Sequence, residues 1–470
     1  MNCYTVAMRQ ITESSFYQLI KCPNWVYFDA HSAEPKPHDP LLYKLMEEGL
    51  VDERERAAIS DRVDVAEVTA EDPDDAFRQT LELMREGRTT IYQGVLVDRH
   101  WVGHPDVLER VEGSSSLGDY YYVAADIKRG REVRDEYKFQ GCFYAELLSK
   151  IQSTKPVRGY VITPDGTTLP YEIEAFEAQY KLALDDIEEI VAGKRPVHFV
   201  TGACKQSPWF SECRKESHAC NELSALNRVW NEEVLRLKDA RIETIDALAG
   251  KSVHDLRRLC PDLQAGRLEM MRDQAIAIRD NHHIVRKSAS FPESTIEIYF
   301  DIESNPLRDF DYLFGVIVVQ KGKEKYIPFL AKKPEDEASM WKEFVAFVES
   351  HLDVPVYHYG HFETDVINRF AAKYGCSDLV RDALRENMID VIEVIRRTVV
   401  FPLTFYSLKD IAAYVGFHWR SDDASGANSV LWFEEWMRTG EKKTLDKILD
   451  YNEDDVRATR VVKDWLVKHT

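Results

Sequence analysis

The chain has 470 residues, more than one hydrophobic core usually serves, so two or three domains are expected. Hydrophobic residues make up 44% and charged residues 30%, and no apolar run approaches the length of a membrane span. The formal net charge of −20 argues against a protein that coats nucleic acid through bulk positive charge. An enzyme that gathers carboxylates around a cation remains compatible with this charge.

The N-terminal sequence and the cysteine content indicate the cellular compartment. The first residues, MNCYTVAMRQITESS, lack a charged region followed by an apolar one, so no export signal is expected. Eight cysteines are too sparse for a disulfide scaffold in a chain of this length, and buried thiols or metal ligands are expected instead. We therefore expect a cytoplasmic protein without a membrane partner.

Strand and helix patterns mix in the N-terminal part of the chain. Successive strands are predicted over 91–97, 101–111 and 119–127, with turn residues between them. A helix is predicted near 135–151. The sequence therefore indicates an α/β domain here.

An acid–lysine set follows these strands. Asp126 and Lys128 share one face at the end of a strand, and Asp106 follows Gly-His-Pro in the preceding strand. Two acids that hold a metal, with a lysine that polarises water or phosphate, form a hydrolytic set. The inward stripe of the next helix includes Gln140 and Tyr144, and a buried amide needs hydrogen-bond partners. The alternative is an ordinary Asp–Lys ion pair at a strand end.

These motifs resemble those of the RecB-like branch of the PD-(D/E)XK nucleases, over about residues 10–220. The resemblance implies a restriction-endonuclease-type α/β domain that uses one or two Mg²⁺ or Mn²⁺ ions. An inactive domain that keeps this fold is the alternative. The resemblance implies that Asp106 and Asp126 are metal ligands. The residues that it implies for catalysis are Lys128, Gln140 and Tyr144.

A further element of that branch lies upstream. Gly49-Leu-Val-Asp-Glu resembles its Gly-x-x-His-Glu element, with Asp52 in place of the histidine. The resemblance implies that Glu53 adds a metal ligand to the N-terminal site.

The cysteine segment 204–220 resembles the cluster of RecB-like nucleases that carry an iron–sulfur centre. Cys204 and Cys213 match that cluster, Cys22 matches its distant upstream cysteine, and Ser207 stands where a thiolate is expected. A four-iron cluster normally takes four cysteine ligands. Cys220 is a candidate substitute, although its spacing differs from that of the family. The alternatives are an intact iron–sulfur cluster and a remnant that packs in the core.

The remaining chain divides into a connector and a C-terminal domain. Short helices are predicted over 221–280, and the polar segment 279–294 is predicted to be a linker. We therefore expect a RecB-like domain at 1–220, a helical connector with its linker at 221–290, and a further domain at 291–470.

The C-terminal domain shows an α/β order of elements. It begins with a strand from Ile296 to Asp301, continues with a hairpin around Gly322, and has a later strand near 354–359. Asp301 and Glu303 share one face of the first strand. Two adjacent carboxylates repel each other unless a proton or a cation lies between them, and a hard divalent ion prefers such oxygen ligands.

Two later helices supply further acids. On the first, Glu363 shares the apolar stripe, whereas Asp365 lies on the outward face. On the second, Asp455 lies on the inward stripe and Asp454 does not, and Tyr451 precedes Asp455 by one turn. Four inward acids and a tyrosine favour a site for two metal ions, with Tyr451 orienting or deprotonating water.

The segments YFDIES, YHYGHFETDVI, FYSLKDIAAYVGF and YNEDDVRAT resemble the ribonuclease H-like exonucleases of the DEDD class, in the Tyr-x-x-x-Asp subclass. The resemblance spans roughly 294–470 and implies a ribonuclease H-like sheet, two Mg²⁺ or Mn²⁺ ions and 3′–5′ exonuclease chemistry. One departure concerns the second motif, where the family usually has Asn and Asp and this chain has Tyr359 and Glu363. The resemblance implies Tyr451 as the catalytic group. The metal ligands that it implies are Asp301, Glu303, Glu363 and Asp455.

Together these features predict a metal-dependent nuclease. Its expected substrate is DNA, cut from single-stranded ends in repair, recombination or defence. An RNA exonuclease is a close alternative, since nothing in the sequence identifies a contact to the 2′-hydroxyl. A non-enzymatic alternative is a nucleic-acid-binding or assembly scaffold with two inactive nuclease folds.

Overall fold

The computed structural model describes residues 10–32, 36, 62–128, 133–163, 166–306 and 308–470. The chain divides into two compact units, Met1–Ser217 and His218–Thr470, and each is described by itself. Within the described ranges, no helix is both long and apolar enough to cross a membrane.

In the described residues of the first unit, the strands form one sheet of six and one of three. Its strands are β1 Ile11–Thr12, β2 Val65–Glu67, β3 Thr90–Tyr92, β4 Leu96–Asp98, β5 Trp101–Gly103, β6 Val107–Ser115, β7 Gly118–Ile127, β8 Arg158–Ile162 and β9 Thr168–Glu172. The helices from its start are α1 Ser14–Lys21, α2 Pro23–His31, α3 Pro73–Glu86, α4 Asp135–Gln152, α5 Glu177–Val191 and α6 Phe210–Ala219. Short 3-10 turns are Glu174–Phe176 and Gly202–Gln206.

The larger sheet has the order β2-β3-β6-β7-β8-β9 and the smaller the order β1-β5-β4. Strands β6 and β7 form an antiparallel hairpin, and α4 connects β7 to its parallel neighbour β8. Helix α4 buries an apolar stripe in the core of the unit, which includes Phe143, Leu147 and Leu148. The predicted helix near 135–151 is therefore confirmed, within one residue of its observed end.

Two of the predicted strands are each divided. The segment 91–97 is interrupted after Tyr92, where Gln93 adopts a positive φ of 55°, a conformation that leaves the extended region. The segment 101–111 is interrupted between Gly103 and Val107. Pro105 lies in this gap and has no amide hydrogen to donate to a strand ladder. Asp106 therefore lies just before β6, and its prediction within a strand is wrong.

The second unit contains a five-stranded sheet and a two-stranded sheet. Its strands are β10 Ile284–Val285, β11 Ile296–Asn305, β12 Phe310–Gln320, β13 Lys323–Leu330, β14 Val356–His358, β15 Met388–Asp390 and β16 Val399–Val400. Its helices are α7 Asn231–Asp239, α8 Ile245–Ala249, α9 Val253–Leu259, α10 Ala265–Asp280, α11 Glu337–Glu349, α12 Phe362–Tyr374, α13 Asp378–Asn387, α14 Val391–Thr398, α15 Leu408–Tyr414, α16 Gly426–Thr439 and α17 Lys442–His469. Short 3-10 turns are Leu223–Ala225 and Pro334–Asp336.

The five-stranded sheet has the order β13-β12-β11-β14-β15. The first three strands pair antiparallel, and β14 and β15 continue from β11 in parallel. Alternate residues of β11 enter two different cores: Phe300 packs in one with Phe344, and Tyr299 packs in the other with Tyr357 and residues of α17. The central strand β11 is thus buried on both faces, and an acid on it is enclosed by protein.

The predicted linker 279–294 contains regular structure. Ile284 and Val285 form β10, which pairs antiparallel with β16. Beyond it, the Ser288 hydroxyl donates to the Thr470 carbonyl at 3.0 Å. This part of the segment is therefore attached to the second unit by backbone and side-chain hydrogen bonds.

Candidate active site

Two carboxylates project from the end of β11. Asp301 and Glu303 are two residues apart, so they share the strand face that α17 covers, as the two-residue period predicts. Asp301 lies opposite Gly315 of β12, which has no side chain to fill the space in front of it. The acids therefore lie at the interface between the sheet and a helix.

Helix α17 supplies the third carboxylate. Asp455 is buried, and Asp301, Glu303 and Asp455 each offer a ligand oxygen within 4.8 Å of the others. In the part of the chain that the structure describes, this is the group of three acids whose spacing would suit a metal ion. The two-residue period of the strand and the inward stripe of the helix predict these three residues from sequence.

The electrostatics of this group show how strongly the acids are crowded. Burial, followed by repulsion from Asp455 and Glu303, raises the pKa of Asp301 well above its usual range. Burial and Asp455 raise the pKa of Glu303 to about 8, and burial raises the pKa of Asp455 to about 6. A divalent cation would offset both the lost hydration and the repulsion, so this donor set fits Mg²⁺ or Mn²⁺.

Glu363 lies near this group, but its carboxylate oxygens are not within 4.8 Å of the ligand oxygens of all three acids. It is buried in the first turn of α12, whereas Asp365 is exposed, as the helix stripe predicts. Its carboxylate contributes to the raised pKa of Asp301. Its Oε2 lies 3.5 Å from Nδ1 of the buried His358, and neither atom has a closer hydrogen-bond partner among the described residues. Tyr359 donates its hydroxyl to the Tyr406 carbonyl at 2.9 Å.

Tyr451 lies one turn before Asp455 on α17 and is buried. Burial and the nearby carboxylates, Asp455 first, raise the pKa of the Tyr451 phenol far above its usual value. The phenol and the Asp455 carboxylate also share a hydrogen bond. Tyr451 is therefore a protonated phenol at the edge of the acidic group.

Several neighbours of the acids carried no assignment in the sequence analysis. The Trp419 indole donates to Asp455 Oδ1 at 2.6 Å, and the Ser429 hydroxyl donates to Glu303 Oε2 at 2.8 Å. Lys409 places Nζ 5.1 Å from the centre of the Tyr451 ring, and burial lowers its pKa although Asp455 and Glu303 oppose that effect. Its position in the segment FYSLKDIAAYVGF was a usable signal for Lys409, whereas Ser429 lies outside every motif.

Asp454, which the helix period places off the inward stripe of α17, is nevertheless buried. The Arg420 guanidinium contacts it at 2.8 Å and the Arg420 amide donates to its other oxygen at 2.8 Å. The helix period places Asp454 off the apolar stripe, but a loop that brings its own cation covers that face as well.

In the first unit, the predicted acid–lysine set comes together. Lys128 Nζ lies 2.9 Å from Asp126 Oδ2, and the Ile127 amide donates to Asp106 Oδ2 at 2.6 Å. Burial lowers the pKa of Lys128, but the charges of Asp126 and Asp106 outweigh it, and the net shift is upward. The three side chains therefore interact where β7 ends, at Asp126 and Lys128, and where the loop before β6 ends, at Asp106.

The predicted helix residues of this set lie nearby. Gln140 and Tyr144 are buried, and the Tyr144 hydroxyl donates to the His104 carbonyl at 3.3 Å. Burial raises the pKa of Tyr144, and Asp126, Glu13 and Asp106 add to this in that order. Glu13, which the sequence analysis did not single out, accepts from the His104 amide at 3.2 Å. Glu53 lies outside the described residues.

The cysteines predicted for an iron–sulfur centre are divided between environments. Cys22, Cys204 and Cys213 are buried, and the Cys22 thiol hydrogen-bonds with both of the others. Ser207 is buried as well, and its hydroxyl accepts from the Trp209 amide at 3.1 Å. Cys220 is exposed and belongs to the second unit. Among the described residues of the first unit, three of these thiols lie together, one fewer than a four-iron cluster normally takes.

The sequence of the second unit matches a known family of domains. Residues 298–467 match RNase_H_2, a model of the RNase H superfamily. The match begins in β11 and ends in α17, so it includes all four acids described above. It confirms an RNase H-like domain at the C-terminal end, which indicates a nuclease that acts on nucleic acids. No curated protein matches the chain.

Proposed function

We propose that the second unit is a metal-dependent 3′–5′ exonuclease of the DEDD class, in its Tyr-x-x-x-Asp subclass. The observation that carries the proposal is the meeting of Asp301, Glu303 and Asp455 within 4.8 Å, inside the region that matches the RNase H superfamily. Glu363 and Tyr451 at the edge of this group support the subclass.

The residues divide into ligands and groups that handle the substrate. Asp301, Glu303 and Asp455 would hold Mg²⁺ or Mn²⁺, with Glu363 as an additional ligand for a second ion. Bound divalent ions supply an activated water and stabilise charge on the leaving oxygen of a phosphodiester. Tyr451 keeps its proton, because its pKa is raised, and would orient the attacking water by hydrogen bonding rather than act as the base.

We propose DNA with single-stranded ends as the substrate, in cytoplasmic repair, recombination or defence. The same acidic group would also hydrolyse RNA, which is the nearest alternative. The formal charge of −20 favours a substrate bound at a local site over one bound by the whole surface.

The deciding experiment is degradation of labelled single-stranded DNA and RNA by the full chain, with Mn²⁺, Mg²⁺ or EDTA. A ladder that shortens from the 3′ end of a 5′-labelled strand, and that EDTA abolishes, is the expected result. Separate 3′-labelled substrates distinguish the two polarities. Absence of cleavage of both polymers with either metal would contradict the proposal.

The Tyr451→Phe variant tests the role of the phenol. We expect kcat to fall by about 10²-fold, because a group that orients the reacting water is lost while the carboxylates remain. Stabilisation of the folded protein by Mn²⁺ should be unchanged, as measured by thermal unfolding with and without metal. A variant that loses the metal-dependent shift as well would show that Tyr451 supports the ligand geometry instead.

For the first unit we propose a second, RecB-like nuclease site that contains Asp106, Asp126 and Lys128. The interaction of all three side chains favours this candidate. Gln140 and Tyr144 would contact the substrate strand, and Mg²⁺ or Mn²⁺ would bind the two acids. End-labelled substrates assayed with Asp126→Asn show whether this site contributes to cleavage.

The Asp126→Asn variant also has a predicted effect on stability. It leaves the Lys128 ammonium without its carboxylate partner in a largely buried position, which costs about 3 kcal/mol. Thermal unfolding in EDTA should show a melting temperature lower by roughly 5–10 °C. Asp135→Asn is the matched control, because it also removes an Asp–Lys pair of 2.9 Å, but with an aspartate that is 75% exposed. Equal small shifts in both variants would contradict the prediction.

The alternative of another class is a nucleic-acid-binding or assembly scaffold. The Tyr359 and Glu363 departures in the second unit and Ser207 in the first are the features that favour it. Such a protein would bind labelled oligonucleotide but would show no increase in melting temperature with Mn²⁺, because no intact site would bind the ion in the folded state.

A further inference from the structure

We propose that Asn452 is a positioning residue that holds the Asp301 carboxylate of β11 in the geometry that binds metal. This inference rests on the function proposed for the second unit. Asn452 lies on α17, three residues before Asp455 and next to Tyr451, and its side chain is fully buried. It belongs to the inward stripe of the helix but is not itself an acid.

The contacts of the amide fix its orientation. Asn452 Nδ2 donates to Asp301 Oδ2 at 2.9 Å, and the Tyr326 hydroxyl donates to Asn452 Oδ1 at 2.8 Å. An ionised carboxylate, the form that binds metal, only accepts hydrogen bonds, so in that form the nitrogen of the amide faces Asp301 and its oxygen faces Tyr326. One buried amide thus joins a carboxylate of the central strand β11 to a phenol of the edge strand β13.

The sheet leaves room for this side chain at one position. Gly315 of β12 pairs with Asp301, and a Cβ added at Gly315 would lie 1.6 Å from Asn452 Oδ1. Any other residue at 315 would therefore displace the amide. Glycine in a strand interior weakens the strand, so its presence here is accounted for by the close approach of Asn452.

The consequence concerns how the two halves of the metal group are joined. Asp301 and Glu303 belong to the sheet, whereas Asp455 belongs to the helix. Ser429 contacts Glu303 and Trp419 contacts Asp455, whereas Asn452 connects the helix that carries Asp455 directly to the strand acid Asp301. Loss of this amide should leave all ligands present but less well placed relative to one another.

The test is a binding isotherm for Mn²⁺ on the full chain, measured by electron paramagnetic resonance. Asn452→Leu keeps the number and branching of the side-chain heavy atoms and removes both hydrogen bonds. We expect it to weaken Mn²⁺ binding to the second unit by about 10- to 100-fold. Binding to the second unit is the part of the isotherm that is absent in Asp301→Asn. Tyr326→Phe removes the partner of Oδ1 alone, and we expect a smaller shift in the same direction.

Thr444→Val is the control, because it alters a buried polar residue of α17 away from the acids. Isotherms of Asn452→Leu and Tyr326→Phe that superimpose on the wild type would overturn the inference. Should Asn452→Leu fail to fold, Tyr326→Phe decides alone. Wild-type protein that binds Mn²⁺ but degrades neither polymer would contradict the proposed function and leave the role of Asn452 to the isotherms. Wild-type protein without Mn²⁺ binding at this site would overturn both.

Discussion

The Asp301→Asn variant is expected to lose nuclease activity of the second unit to below detection. Asp301 interacts with each of the other three acids, so its carboxylate is central to any ion bound there. Removing a ligand should cost more than the 10- to 100-fold typical of a residue that acts through a ligand. The same variant should lose the increase in melting temperature that Mn²⁺ gives to the wild type.

Without metal, the Asp301→Asn substitution should raise the stability of the folded protein, although with Mn²⁺ it abolishes the stabilisation that the wild type gains. Asparagine keeps the shape of the side chain but removes an acid whose ionised form is disfavoured in the folded protein by burial and by its acidic neighbours, so the folded state in EDTA should be stabilised at pH 8. Asp365→Asn is the matched control, since that acid is exposed on the first turn of α12. A less stable metal-free Asp301→Asn protein, or retained 3′–5′ cleavage, would contradict the assignment of Asp301.

The stability of the metal-free wild type is expected to fall as the pH rises from about 4 to about 8. The pKa of Glu303 is raised to about 8 and that of Asp455 to about 6, mainly by burial. A carboxyl whose pKa is higher in the folded than in the unfolded state binds its proton more tightly when folded. The folded state therefore loses stability when the pH passes from the unfolded value, near 4, to the folded value.

Thermal unfolding in EDTA between pH 6 and 8.5 measures this effect, because ordinary carboxylates are already ionised throughout that range. Saturating Mn²⁺ should remove most of the decline, since metal binds the ionised carboxylates and releases their protons. Glu303→Gln should flatten the decline without metal. A melting temperature in EDTA that is constant across this range in the wild type would show that the acids are better hydrated than their burial indicates.

The sequence patterns that succeeded were those with a fixed geometric period. The two-residue repeat of a strand placed Asp301 beside Glu303, and the helix stripe placed Glu363 inward and Asp365 outward. The helix stripe also placed Asp455 on the face of α17 that meets the sheet. Such patterns depend on local geometry alone, which explains why the acidic group was predictable before the fold was known.

The features that were missed depend on contacts between distant segments. Arg420 buries Asp454 from a loop more than thirty residues earlier in the chain, and no period of α17 contains that information. Ser429 reaches Glu303 across 126 residues of sequence. Asp106 was placed in a strand because the apolar pattern continues on both sides of Pro105, and the proline divides it.

The absence of a side chain at residue 315 bears on how active members of such a family are recognised. A related chain could retain every acid and the tyrosine, and thus pass any inspection of motifs, while carrying alanine or a larger residue at the position of Gly315. Its amide on the facing helix would have no room, and its ligands would be displaced. Loss of activity during divergence could therefore begin on β12, a strand that contributes no chemical group to the reaction.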